Sequence, residues 1–84
     1  MYMGVLYNLI IPSNKGHYNL FVSTNKKMNL DELKDKLIKS NKIDMDLKED
    51  IEFVSDYSIE NYSMKFFFIK NGFKVIDLEN EVEE

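Results

Sequence analysis

The stretch Ser63–Leu78, SMKFFFIKNGFKVIDL, constrains this chain most, because two apolar runs close on Asn71-Gly72. Both central residues of a type I′ turn need φ > 0, and Asn-Gly is the pair that tolerates this best. The stretch therefore predicts a two-residue β-hairpin. Its register pairs Lys70 with Phe73, Ile69 with Lys74, Phe68 with Val75, Phe67 with Ile76 and Phe66 with Asp77. Alternation along each strand then puts Met64, Phe66, Phe68, Phe73 and Val75 on one face. Phe67, Ile69, Ile76 and Leu78 fall on the other, with Lys65 and Lys74 at its edge. Both faces are apolar, whereas a sheet wet on one side reads polar at alternate positions. Each face should be covered.

Eighty-four residues suit one small domain, which buries only about 60–65 % of the unfolded chain's surface. There is no cysteine, so neither a disulfide nor a thiolate metal site reinforces it. The start, MYMGVLYNLIIPS, is apolar but short, lacks a basic leader and runs into Pro12. It reads as neither signal peptide nor membrane span, and the expectation is a soluble, cytoplasmic protein.

Residues 2–11 alternate weakly. Met3, Val5, Tyr7, Leu9 and Ile11 share one side, and Leu6 and Ile10 the other, the pattern of a central strand buried on both faces. Pro12–Gly16 has strong turn chemistry. Residues 17–24 form a second strand with Tyr18, Leu20 and Val22 toward the core. A helix over about 30–40 is marked by Asn29 as N-cap, by Glu32 at capping-box spacing and by a Met28–Leu33 staple. Leu30, Leu33, Leu37 and Ile38 make its apolar stripe. Glu32–Lys36 and Asp35–Lys39 stand at i,i+4 in the favourable order. Residues 44–50 admit a single helical turn. Residues 51–57 read as a third strand, with Ile51, Phe53 and Tyr57 alternating with Glu52, Val54 and Asp56. Beyond about residue 80 the acidic tail, 81–84, is expected to be disordered.

The expected fold is one small α+β domain over 1–80. Its order is β-β-α-β-β-β, with one helix packed on one face of a mostly antiparallel sheet of about five strands. A hairpin followed by a helix and further strands resembles the β-grasp arrangement. Ser55-Asp56-Tyr57-Ser58-Ile59 before an apolar strand resembles ubiquitin-like chains. The link after the helix is too short for the full ubiquitin fold, so no family is assigned. The helix is expected over the Phe66, Phe68 and Val75 face, leaving the Phe67, Ile69, Ile76 and Leu78 face open as an interface.

Catalysis finds no support. His17 is the only histidine and sits beside Gly16 at a loop, and neither a nucleophile elbow nor a phosphate loop is present. Asp44, Asp46 and Asp50 lack the glycine and glutamate of a calcium loop. No cofactor or metal is expected. Lysines interleave with aromatics in Lys65–Lys70, as in sheets that stack bases. A chain with no Arg and net charge −4 argues against direct nucleic-acid binding, because Arg supplies the fork that grips phosphates and base edges. The Lys26-Lys27 loop and Phe67 would carry that reading.

The charge is unevenly spread. Residues 1–43 hold seven Lys against Asp31, Glu32 and Asp35, whereas residues 44–84 hold four Lys against twelve carboxylates. Seven of those, Asp44, Asp46, Glu49, Asp50, Glu52, Asp56 and Glu60, face a single Lys48 within one short segment. Such a segment can present a field like a phosphate backbone and attract a basic surface of another protein. Small acidic inhibitors from phages and mobile elements act this way, by class-level analogy. The leading expectation is a small acidic inhibitor or adaptor that masks a basic, nucleic-acid-binding surface of a host protein, without enzymatic activity. The alternative is a homo-oligomerising, antitoxin-like module meeting a second copy through Phe67, Ile69, Ile76 and Leu78.

Overall fold

A computed structural model describes residues 4–78 and shows a small α+β domain. The expected tail lies outside the described residues. The elements run β1 (Val5–Ser13), β2 (Gly16–Thr24), α1 (Leu30–Lys39), α2 (Met45–Ile51), β3 (Asp56–Glu60), a 3₁₀ turn (Tyr62–Met64), α3 (Lys65–Lys70) and β4 (Val75–Asp77). The strands form one mixed sheet in the order β3-β1-β2-β4. Among the described residues, four strands and three helices stand where the sequence reading has five strands and one helix.

The N-terminal half follows its sequence. β1 is central, and its hairpin with β2 closes at Ser13 and Gly16 around Asn14-Lys15. Pro12 sits past the residues that pair with β3, where its missing N–H leaves that ladder intact. Tyr7, Leu9, Ile11, Leu20 and Val22 line one sheet face and are buried. Tyr18, expected beside them, is exposed at the end of the row. Leu33 and Leu37 of α1 and Leu47 and Ile51 of α2 complete this core. Asn29 accepts from Glu32 N at 2.8 Å and donates its own N–H to Glu32 Oε1 at 3.3 Å, so the capping box forms. The Asp35–Lys39 pair is present at 3.1 Å. The buried Tyr7 hydroxyl accepts from Met28 N at 2.6 Å and donates to Met28 O at 3.1 Å, tying the start of α1 to the centre of the sheet.

The C-terminal half departs from expectation. The expected strand over 51–57 holds only at its end: residues 51–55 are not a strand, and Asp56 and Tyr57 open β3. Ile43, Leu47, Ile51 and Val54 are buried at helical spacing, and that period outweighs the alternation seen around Phe53. Ile51 is the last residue of α2, and the third strand begins five residues later, at Asp56.

The predicted hairpin is also absent. Residues 65–70 are helical, and Asn71-Gly72 is their C-terminal cap. A type I′ turn needs positive φ at both residues, but Asn71 has φ −96° and only Gly72 is positive, at 88°. Phe73 N donates to Phe68 O at 3.0 Å, and Gly72 N to Ile69 O at 3.2 Å. These two bonds define a Schellman motif, and the Phe68–Phe73 ring contact, 5.5 Å between centroids, supplies its apolar partner pair. Asn61 starts the preceding 3₁₀ turn by accepting from Ser63 N at 2.9 Å.

This C-terminal unit covers part of the second sheet face. Phe68 stacks on Phe21 with centroids 4.0 Å apart, and Phe73 meets the same ring edge-on. Lys65, almost wholly buried, pairs with Asp77 at 3.0 Å, and Asp77 also accepts from Ser23 Oγ. Leu6 and Ile10 also lie on that face beside a polar pair, Asn19 donating to Asn8 at 2.7 Å. The second face is therefore partly covered by the chain's own α3, and α1 packs on the opposite face rather than over Phe66, Phe68 and Val75.

Candidate protein-binding surface

The acidic segment predicted to bind a partner spans α2, the turn after it, and β3. Leu47 and Ile51 fix α2 to the core, so Asp46 and Glu49 point outward and are exposed. Asp44 is the N-cap and accepts from Leu47 N at 2.9 Å, which gives this carboxylate a structural task. After Ile51 the chain turns tightly: Phe53 N donates to Asp50 O at 3.0 Å and Val54 N to Ile51 O at 3.1 Å. Lys34, reaching over from α1, donates to Glu52 O at 3.0 Å and Val54 O at 2.9 Å. A cation at the carbonyl end of a helix satisfies otherwise orphaned acceptors.

That clamped turn holds Phe53 out in solvent, 74 % exposed. Three shallow concavities have Phe53 in their wall. One includes Asp50 and Lys15, another Glu49, Glu52 and Lys48, and the third His17, Ser55 and Asp56. A large apolar side chain therefore stands among four carboxylates and two lysines on a rigid turn. Asp46, Glu49, Glu52 and Asp56 are exposed. None of their carboxylates takes part in a side-chain hydrogen bond or ion pair among the described residues. Asp50 is half-buried and accepts a long hydrogen bond, 3.4 Å, from the Tyr18 hydroxyl. Burial first, and then the Asp50 charge and that bond, push the Tyr18 phenol above its ordinary value. Glu60, at the far end of β3, accepts from Ser58 Oγ at 3.2 Å. Five of the seven predicted residues lie on α2 and its turn, and Asp56 and Glu60 mark the ends of β3.

The strand alternation over 51–57 groups Phe53 with Ile51 and Tyr57 and gives no signal that it is a site residue. The helical period of Leu47, Ile51 and Val54 is the signal that puts it outside.

The second predicted set does not form one face. Ile76 and Leu78 are core, 7 % and 6 % exposed, while Phe67 and Ile69 lie exposed on α3. With the hairpin gone, the four residues no longer share a register. Phe66 and Phe73 are exposed near Phe67 and Ile69 in sequence, between Lys65 and Lys74. Because Phe67 projects from a helix, the strand ladder of aromatics proposed for base stacking is not formed.

Among the described residues no three His, Asp or Glu side chains converge as a metal site, and no helix is long and apolar enough to cross a membrane. Comparison of the chain with family models, curated proteins and solved structures finds no match.

Proposed function

We propose that this chain is a protein-binding module whose acidic corner masks a basic, nucleic-acid-binding surface of another protein. The observation that carries the reading is Phe53, exposed on a clamped turn amid Glu49, Asp50, Glu52 and Asp56. An aromatic anchor ringed by charge is the layout of an interface hot spot with a polar rim. The carboxylates steer a cationic partner, and Phe53 supplies the apolar contact that survives at physiological salt. The role is binding and blocking rather than catalysis.

The test is capture from host lysate with two baits, the wild type and a Phe53→Ala, Glu49→Gln, Glu52→Gln variant. The wild type should retain a basic protein that added nucleic acid displaces, and the variant should not. Equal capture by both baits contradicts the reading. The second reading, a homo-oligomeric module, is favoured by exposed Phe66, Phe67, Ile69 and Phe73 around α3. Sedimentation at high concentration separates the two, because Phe67→Asp should dissociate a homo-oligomer and leave partner capture unchanged.

A further inference from the structure

β3 is an edge strand. It pairs with β1 on one side, and among the described residues no strand lies on the other. Alternate N–H and C=O groups along such an edge point outward without a ladder partner. The opposite edge is treated differently. β4 is only three residues long, and Lys42 Nζ donates to the Asp77 carbonyl there. On β3, neither Lys nor Pro blunts the strand, whose sequence is DYSIE.

Its side chains fall into two rows. Tyr57 and Ile59, opposite Leu9 and Tyr7, share the helix-bearing side yet remain 40 % and 47 % exposed. Asp56, Ser58 and Glu60 share the other side, with a carboxylate at each end. Resting on the acidic-corner reading above, we propose that β3 accepts an added strand from the partner. This strand is an extended basic segment with cations four residues apart and apolar residues between them at alternate positions.

Charge selects the occupant. If a second copy paired antiparallel about Ser58, Asp56 would face Glu60 at both ends, and directly opposed like charges destabilise a strand pair. The same two carboxylates favour Lys or Arg at those places. Tyr57 and Ile59 then cover the apolar residues of the incoming strand. In that fully overlapped register the edge disfavours itself and admits a cationic segment, the β-augmentation mode of recognition.

The probe is a capped peptide, Gly-Lys-Val-Ser-Val-Lys-Gly, titrated into the ¹⁵N-labelled chain while amide hydrogen exchange is followed. Alternate β3 amides should gain protection. A version N-methylated at the central Ser and Val should lose that protection, because its backbone can no longer complete the ladder. Asp56→Lys with Glu60→Lys should weaken the basic peptide about tenfold and improve a Glu-for-Lys peptide by a similar factor. Unchanged exchange in β3, or equal binding by the N-methylated peptide, overturns strand addition. The acidic-corner reading is scored separately, from salt-sensitive shifts at Glu49, Glu52 and Phe53. Those shifts without β3 protection leave that reading standing and remove this one.

Discussion

Tyr18 and Asp50 show how a single pair ties the hairpin to the acidic corner. The Tyr18 phenol is held above its ordinary value by burial and by the nearby Asp50 carboxylate. A group whose pKa is raised on folding stabilises the fold below its unfolded value, near 10, and that contribution fades as pH climbs through the folded value. Following the Tyr18 ring carbon by NMR should therefore give a midpoint above 10. Asp50→Asn should lower it, because removing the carboxylate removes the charge that opposes the phenolate. A midpoint at or below 10 in the wild type would contradict the geometry. Phe53 needs no such partner, since it is held by the backbone bonds of its turn and by Lys34.

At the scale of elements, caps decided where sequence reading succeeded and where it failed. Asn29 and Glu32 point to one structure only, and α1 begins there. Asn29→Ala should cost about 0.5–2 kcal/mol, read as a lower melting midpoint, because Glu32 N loses its acceptor. Asn71-Gly72 points to two structures. A positive-φ glycine suits a type I′ hairpin and a Schellman cap alike, and apolar neighbours on both sides fit both. Long-range contacts break the tie: Phe68 finds Phe21, and Lys65 finds Asp77. Neither pairing is visible in local periodicity, so the second half of the sheet was legible only in its end, Val75–Asp77. Gly72→Ala should cost about 1–2 kcal/mol through its left-handed backbone. Denaturant melting checks this, and a true hairpin turn at this position would also require Asn71 at positive φ, which its coupling constant would reveal. The acidic residues were legible from charge alone, whereas their anchor, Phe53, depended on recognising that α2 extends through Ile51.

For the whole molecule, the three-layer arrangement separates what the chain keeps for itself from what it offers. α1 and α2 cover one sheet face, and α3 closes part of the other. The carboxylates of residues 44–60 are left largely on the outside, around α2 and along β3. A field of that sign accelerates encounter with a cationic surface and is screened over about 8–10 Å at physiological ionic strength. Holding the fold constant while removing charge isolates that effect. The direct measurement is the association rate with the basic partner proposed above, from low to physiological salt. It is made for the wild type and for a variant carrying Asp46→Asn, Glu49→Gln, Glu52→Gln and Asp56→Asn. The wild-type rate should fall steeply with salt, and the variant should start slower and show a shallow dependence at unchanged melting temperature. Rates indifferent to both salt and these four substitutions would contradict the acidic corner as the binding surface.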